Sequence, residues 1–253
     1  MTEEQPVDNT LKDIVDPKYT LLERFRDIAP GSYKHSQNVA NLCESIALEL
    51  ELDIDLMKAA GLFHDIGKMN SPGLFSENQS GKNPHDELDP QISYHLITRH
   101  VGDTTLILLQ LPDFPDKIKL MQIVSQHHGN SVLRFFYKKT KGASEELFRY
   151  KCSAPQTIEA AVLMICDSVE ATSRAMDSND GLKDTKDRRS VVNTTVERLT
   201  NDKQLEEIKV GEIRRIKSVL FKELENMYHK RELYGDEKNS DVGDDESIKI
   251  GDE

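Results

Sequence analysis

The chain has 253 residues, of which 37% are hydrophobic and 31% are charged, and this is enough for one large globular domain or two smaller ones. Its net charge of -12 excludes long nucleic acids as expected partners, because an acidic surface repels a polyanion unless metal ions offset the charge. No stretch approaches the roughly 20 consecutive apolar residues that a membrane-spanning helix needs.

The three cysteines are an odd number and form no CxxC motif, which favours reduced thiols. The N-terminus is acidic and polar and therefore does not have the pattern of a signal peptide. We therefore expect a cytoplasmic protein with no membrane segment in this chain.

The first half of the chain alternates helical patterns with polar segments. Residues 1–18 are polar, and we expect them to form a flexible N-terminal segment. A short helix over residues 19–28 is followed by two longer helices, for which Ser32 and Asp53 are suitable N-caps. Residues 67–88 carry turn residues and little periodicity, which predicts a long loop of the kind that often has a function.

The second half continues in the same way. Asp89 precedes a proline and begins another helix, which Gly102 is expected to end, so that Asp103 begins a new one. A helix from residue 117 is expected to run as far as His127, with Gly129 as its stop signal. Another is expected near residue 131, and residues 142–155 again look irregular. Further helices are predicted over residues 157–176, 184–199 and 210–229.

No alternating strand pattern of any length occurs, so the predicted class is all-α, a compact helical bundle without a sheet. The predicted domain covers residues 19–234. Residues 235–253 are acidic and contain few apolar groups, and they are expected to form a disordered tail.

Seven polar residues lie on apolar helical faces or at the ends of apolar helices. They are His35, His64, Asp65, His100, His127, His128 and Asp167. One inward-facing histidine alone is usually a satisfied core residue, and Asp167 could pair with Arg174. A core that contained all of them without a cation would leave many polar groups unsatisfied. Imidazole and carboxylate together suit Fe, Mn, Zn or Co better than Ca or Mg.

The order His35, then His64-Asp65, then Asp167 resembles the pattern of HD-domain phosphohydrolases. The additional His100 and His127-His128 resemble the subset of HD domains that bind two metals. Further motifs are similar to the HD module of PgpH-type cyclic-di-AMP phosphodiesterases, and these are Glu77-Asn78-Gln79, Asn83-Pro84-His85-Asp86 and Phe148-Arg149-Tyr150. In that family the module follows transmembrane helices, so the sequence leaves open a stand-alone protein or part of a longer one.

This resemblance implies a helical HD-domain bundle with two divalent transition metal ions, Mn or Fe. It implies that His35, His64, Asp65 and Asp167 hold one ion and that His100, His127 and His128 hold the other, with Asp65 bridging. It implies hydrolysis of cyclic-di-AMP to the linear dinucleotide pApA, with Asp65 and Lys68 in the catalytic site. We interpret Lys68, Asn83, His85 and Arg149 as substrate contacts.

Two other readings stay open at this point. The chain could hydrolyse another nucleotide, such as a dNTP, an alarmone or cyclic-di-GMP, although no Gly-Tyr-Pro tripeptide of the cyclic-di-GMP branch follows Gly129. It could also be a metal-stabilised receptor that binds a cyclic dinucleotide without turnover. The sequence leaves the oligomeric state open, with a homodimer as one possibility.

Overall fold

The computed structural model describes residues 10–111, 114, 116–178 and 181–235, with side chains described up to Tyr228. In this part of the chain all regular structure is helical, apart from one isolated antiparallel bridge between Val132 and Arg149. The predicted all-α class is therefore confirmed.

The described residues contain ten α-helices in the following order. They are α1 (Leu11–Ile14), α2 (Thr20–Ile28), α3 (Pro30–Leu50), α4 (Ile54–Phe63), α5 (Pro90–Gln110), α6 (Lys117–Ser125), α7 (Arg134–Lys139), α8 (Ile158–Asp177), α9 (Thr185–Asn201) and α10 (Val210–Gly235). Short 3-10 segments fill the two irregular stretches, and they are Ile66–Asn70, Pro72–Leu74, Ser76–Asn78, Pro84–Asp86 and Glu145–Phe148.

Helices α3 and α8 form the centre of the bundle. Helix α3 packs against α2, α4, α8 and α10, and α8 also packs against α6 and α9. The middle of α8 is apolar on every side, and Ala161, Val162, Leu163 and Ile165 are completely buried. A helix that is apolar all round is stable only inside a core. Polar side chains that α3 and α8 point at each other are therefore withdrawn from water.

The start of α3 differs from the prediction. The helix begins at Pro30, and Ser32 lies in its first turn instead of acting as the N-cap. The cap comes from a distant loop, because Asn78 Oδ1 accepts hydrogen bonds from the backbone N–H groups of Gly31 (2.9 Å) and Ser32 (3.1 Å). Proline is well suited to the first turn of a helix, so the Pro30-Gly31 pair begins α3 instead of only breaking α2.

Helix α5 also differs, because it passes through Gly102 and continues to Gln110. The prediction that Gly102 ends the helix and that Asp103 begins another is wrong. A glycine inside a helix costs about 1 kcal/mol relative to alanine, which packing along the rest of α5 can offset. Asp103 pairs with Arg99, one turn earlier, at 3.3 Å.

Helix α6 is shorter than predicted and ends at Ser125, so His127 and His128 lie in the turn that follows it. Gly129 adopts a left-handed conformation with φ of +53°. A Cβ atom at this position would lie 2.2 Å from Oε1 of Gln204, a side-chain end that would have to move, so the left-handed backbone is the main reason for glycine here.

The chain before α2 is not a loose segment over its whole length. Residues 11–14 form a capped helix in which Leu11 and Ile14 are buried, and this helix packs against α4. The prediction of a flexible segment over residues 1–18 therefore differs from the structure at residues 11–14. Residues 1–9 and the predicted acidic tail over residues 236–253 lie outside the described residues. Among the described helices, none combines the length and the apolarity that crossing a membrane requires.

Candidate metal centre

The seven predicted ligands meet in one place, which we call the His–Asp cluster. It consists of His35 on α3, His64 and Asp65 directly after α4, His100 on α5, His127 and His128 after α6, and Asp167 on α8. Six of these side chains are almost completely buried, and His128 is the partly exposed member. The cluster therefore joins five helices of the bundle at one polar point.

Asp65 lies between the two halves of the cluster. Its Oδ2 atom is 3.3 Å from His64 Nε2 and 3.6 Å from His35 Nε2. Its Oδ1 atom is 3.4 Å from His100 Nε2 and 3.8 Å from His127 Nε2. Each carboxylate oxygen therefore faces a different group of imidazole nitrogens, and a carboxylate, unlike an imidazole, has two oxygens with which to bridge two cations.

Asp167 closes the other side of the cluster. Its Oδ1 atom is 3.0 Å from His35 Nε2 and 3.8 Å from His64 Nε2. Its Oδ2 atom is 3.7 Å from His128 Nδ1. Asp167 thus shares two histidines with Asp65 and is the link to His128.

Helix α5 holds the backbone on both sides of Asp65. Thr104 Oγ1 donates to the carbonyl oxygen of His64 at 3.1 Å and accepts from the N–H of Gly67 at 3.0 Å. A Cβ atom on Gly67 would lie 2.2 Å from the carbonyl oxygen of His100, so glycine is needed for this close approach. No sequence pattern pointed to Thr104, because its role depends on how α5 packs against the turn.

Three of the histidines are oriented in the same way by their own helical turn. In each, the Nδ1–H group donates to the backbone carbonyl three residues earlier, which leaves the Nε2 lone pair for the cluster. The bonds join His64 to Gly61 at 2.9 Å, His100 to Ile97 at 2.6 Å and His127 to Val124 at 2.6 Å.

His35 is oriented by a side chain instead. Its Nδ1 atom hydrogen-bonds to Oε2 of Glu170, a residue on α8 that is 2% exposed. Glu170 Oε1 also accepts from Nδ2 of Asn38 at 2.9 Å, and Arg174 Nε lies 3.4 Å from Oε2. Sequence reasoning missed Glu170. The available signal was its spacing, because it follows Asp167 by three residues and shares its helical face.

Burial and charge set the protonation of the cluster. Burial and the nearby charge of His64 lower the pKa of His127 to about 3, and burial also lowers the pKa of His100 and His128. Burial alone would raise the pKa of Asp65, but Lys68 and His64 outweigh it and hold this pKa well below the usual range. His100, His127 and His128 are therefore neutral imidazoles next to an ionised carboxylate, which are the forms that bind metals.

The two carboxylates have the opposite effect on His64, because they favour its protonated form. Burial would lower the pKa of His64, yet Asp65 and Asp167 raise it to about 10. Among the described residues, His64 Nε2 and Asp65 Oδ1 are buried polar atoms without a hydrogen-bond partner. Such atoms cost free energy unless a cation or a donor satisfies them. The donor set of imidazole nitrogens and carboxylate oxygens fits divalent transition metals.

Lys68 lies at the edge of the cluster. Its Nζ atom is 2.6 Å from Asp65 Oδ2 and 2.8 Å from Glu77 Oε1, and its side chain is 12% exposed. Glu77 also accepts a hydrogen bond from Ser32 Oγ at 2.8 Å. The ammonium group therefore joins the cluster to the loop that caps α3. The predicted contact of Lys68 with substrate would have to be shared with these two carboxylates.

A cavity of about 350 Å³ opens onto the cluster. The ring of Tyr150 lies 4.4 Å from that of His128, and the ring of Phe75 lies 5.6 Å from that of His100. Lys68, Arg174 and Arg198 bring positive charge to the wall of the cavity. The site thus combines aromatic surfaces with cations.

Three predicted substrate contacts do not line this cavity. Asn83 Oδ1 accepts from the N–H of His85 at 3.0 Å, and His85 Nε2 donates to the carbonyl oxygen of Leu74 at 2.9 Å. Arg149 binds Glu145 at 3.0 Å and Asp202 at 3.3 Å. These side chains hold the irregular segments in place. Their predicted contact with substrate stays a prediction, and in this structure their side chains are directed to protein partners outside the cavity.

Comparison with known proteins places these features in a family context. Residues 32–172 match the family model of the HD domain. The cyclic-di-AMP phosphodiesterase PgpH of Listeria monocytogenes is 35% identical over 236 residues, which cover 90% of this chain and 32% of the relative. The cyclic-di-AMP phosphodiesterase PgpH of Bacillus subtilis is 40% identical over 171 residues, which cover 66% of this chain and 24% of the relative. The chain thus spans a third or less of the length of these curated relatives.

Two solved structures are similar over most of the chain. The crystal structure of the HD domain of Listeria monocytogenes PgpH matches with a TM-score of 0.77 and 34% identity, covering 84% of this chain and 100% of that one. The crystal structure of the same domain in complex with cyclic-di-AMP matches with a TM-score of 0.76 and 34% identity, covering 83% of this chain and 97% of that one.

Proposed function

This chain belongs to the HD-domain family, and on that premise we propose that it is a metal-dependent phosphodiesterase that hydrolyses cyclic-di-AMP. The observation that carries the proposal is the position of Asp65, whose two oxygens face two separate groups of histidines. The similarity to an HD domain that was crystallised with cyclic-di-AMP supports the choice of substrate.

In this proposal the His–Asp cluster holds two divalent transition metal ions, Mn or Fe. His35, His64, Asp65 and Asp167 would hold one ion, and His100, His127, His128 and Asp65 would hold the other. Ions in such a pair bind phosphate oxygens and make water a better nucleophile near neutral pH. The chain's own contribution is to aim the nitrogens, through the Nδ1–H bonds, and to exclude bulk water by burial.

The proposed reaction breaks one of the two phosphodiester bonds of the ring. Water supplies a hydroxyl group to phosphorus and a proton to the departing 3′-oxygen, and the product is the linear 5′-phosphorylated diadenylate, pApA. Lys68 is the cation nearest to Asp65, and it balances the charge of that carboxylate at the wall of the cavity. We therefore assign Lys68 to the positioning of Asp65, with a contact to phosphate as its second role.

The cavity and the net charge of the chain suit a compact dianion better than a polymer. Its volume of about 350 Å³ lies at the lower end of the range for small-ligand sites. Tyr150 and Phe75 provide flat aromatic surfaces of the kind on which nucleobases stack. The net charge of -12 opposes the approach of a long polyanion.

The test is a chromatographic product assay with manganese-loaded protein. Cyclic-di-AMP, cyclic-di-GMP, a dNTP and an alarmone are supplied at equal concentration, and the metal content is measured in parallel. We expect about two ions per chain, conversion of cyclic-di-AMP to pApA and slower cleavage of cyclic-di-GMP. Asp65→Ala should lower the turnover at least a hundredfold, whereas Asp55→Ala, which removes a half-buried acid of α4 that lies 4.0 Å from Lys12, should not change it.

Three different results would each contradict one part of the proposal: the binuclear centre, the substrate or the turnover. Metal content that never exceeds one ion per chain would refute the binuclear centre. Hydrolysis of a mononucleotide with cyclic-di-AMP left intact would refute the substrate. Tight binding of cyclic-di-AMP without any product would instead support a receptor.

A further inference from the structure

A cyclic dinucleotide carries two phosphates, and only one of them can lie at the His–Asp cluster. The other enters the same cavity with its negative charge, which is costly unless a cation or hydrogen-bond donors meet it. A cation that meets this phosphate must lie at the cavity and must not already be neutralised by carboxylates of the chain.

Two cations near the cavity are already committed. Lys68 is held by Asp65 and Glu77 at 2.6 and 2.8 Å. Arg149, the residue that the sequence suggested for the second phosphate, is held by Glu145 and Asp202 and does not line the cavity. Two carboxylates already balance the charge of Lys68, and Arg149 lies outside the cavity, so neither supplies an unbalanced positive charge for a second phosphate.

Arg174 and Arg198 also line the cavity. Arg174 follows Asp167 by seven residues, so it lies two turns further along the same face of α8, about 10 Å along the helix axis. Among the described residues its ion-pair partner is Glu170, whose carboxylate lies 3.4 Å from Arg174 Nε, and the guanidinium group has further N–H donors at its terminal nitrogens. Helical side chains lean toward the N-terminus, which directs Arg174 back toward the cluster.

Arg198 approaches from α9. Within the described residues its guanidinium group has no carboxylate at ion-pair distance, and the nearby Asp202 is bound by Arg149 at 3.3 Å. Arg198 also lines a neighbouring cavity of about 370 Å³ together with Arg134. Burial and the charge of Arg134 lower the pKa of Arg198, which indicates that two like charges lie close together. An anion between such groups relieves their repulsion.

Other groups of this neighbouring cavity limit where an anion can bind. Glu197 and Asp202 also line it, and their carboxylates repel a phosphate. The favourable position is therefore the junction of the two cavities, where Arg198 lies and where Arg174 can reach from α8. Both arginines follow residue 172, the last residue of the matched HD segment, so HD-family membership alone does not specify them.

We propose that Arg174 and Arg198 form an anion subsite that binds the second phosphate of a cyclic dinucleotide whose first phosphate lies at the His–Asp cluster. This inference rests on the proposed function. The subsite makes the number of phosphates a determinant of specificity, because a substrate with one phosphodiester group uses the cluster alone. It also gives α9 a role in substrate recognition.

The test compares ligands with two phosphates and one phosphate in the manganese-loaded full chain. The variants are Arg198→Ala, Arg198→Lys and the control Arg189→Ala, which removes an arginine of α9 that packs over Phe221 and does not line the cavity. Arg174 is left intact because Glu170, its partner, also holds His35. Kinetics are measured with cyclic-di-AMP and with bis(p-nitrophenyl) phosphate. Equilibrium binding is measured with the hydrolysis-resistant bisphosphorothioate analogue of cyclic-di-AMP and with AMP.

Arg198→Ala should raise the KM for cyclic-di-AMP and the Kd for its analogue roughly tenfold, about 1.4 kcal/mol. The kcat should change less than the KM, and the values for bis(p-nitrophenyl) phosphate and AMP should stay within a factor of two. Arg198→Lys should recover part of the loss, and Arg189→Ala should match the parent.

Equal losses for ligands with one and two phosphates, or no loss for either, would overturn the subsite while the parent enzyme still cleaves cyclic-di-AMP. A parent protein that hydrolyses bis(p-nitrophenyl) phosphate but neither binds nor cleaves the cyclic dinucleotide would overturn the proposed function, and the subsite with it. The behaviour of the parent protein therefore distinguishes the two failures.

Discussion

The substitution Glu170→Ala tests whether a buried carboxylate next to the His–Asp cluster controls the affinity of the cluster for metal. Replacing it by alanine removes the acceptor for His35 Nδ1 and for Asn38 Nδ2, and Asn38 lies at 2.9 Å from Glu170 Oε1. Loss of a partner that orients a histidine ligand typically weakens metal binding by about 10–100-fold, where tenfold corresponds to about 1.4 kcal/mol. Only the ion held by His35 should be affected to this extent.

The metal-free protein should also lose stability. Two buried donors would be left without a partner, at about 1–3 kcal/mol each, and water that enters the space can reduce this cost. Arg174, the third contact of Glu170, has a side chain that is 36% exposed, so it can turn to solvent at little cost. We therefore expect Glu170→Ala to lower the free energy of unfolding by roughly 2–4 kcal/mol.

The assay is a calorimetric titration of metal-free protein with Mn²⁺, together with urea unfolding of the same samples. Glu170→Gln keeps one acceptor for His35 and should recover much of the metal affinity. Glu159→Ala is the matched control, because it removes an acid of the same helix that pairs with Lys119 at 3.0 Å, away from the cluster. If Glu170→Ala binds both ions within a factor of three of the parent, the orienting role is wrong. Lost stability with unchanged metal affinity would assign Glu170 a purely structural role.

Two further predictions concern the loop that reaches the start of α3. Gly31→Ala should destabilise the protein by about 1–3 kcal/mol in urea unfolding, because the new Cβ atom would lie 1.8 Å from the carbonyl oxygen of Glu77, and Gly73→Ala, in open space, should be nearly neutral. Equal stabilities of these two variants would contradict the close approach. Burial favours the neutral form of Glu77, but Lys68 outweighs it and lowers this pKa from 4.5 to about 2, so the carboxylate stabilises the fold above pH 4.5 and loses this effect as the pH falls toward 2. The free energy of unfolding should therefore fall more steeply from pH 5 to pH 3 in the parent than in Glu77→Gln, and parallel curves would show that Glu77 does not contribute.

The sequence alone was sufficient for the helical class and for the seven residues of the His–Asp cluster. Both follow from local information, because the apolar period identifies the inward face of a helix and polar residues on that face stand out. Two helix boundaries differed from the prediction. Ser32 looked like an N-cap and Gly102 like a stop signal, but the cap of α3 came from Asn78, a residue 46 positions away, and packing carried α5 through its glycine.

Tertiary structure decided how the cluster is held and what surrounds its cavity. The two oxygens of Asp65 face different histidines only because α4, α5 and α6 converge there. Arg149 belonged to a motif that suggested substrate contact, yet the fold bound it to Asp202, whereas Arg198 belonged to no motif and reached the cavity wall. A helical period determines on which face a side chain lies. Which groups meet across helices, and which charges remain unpaired, depends on contacts between distant residues that no local pattern contains.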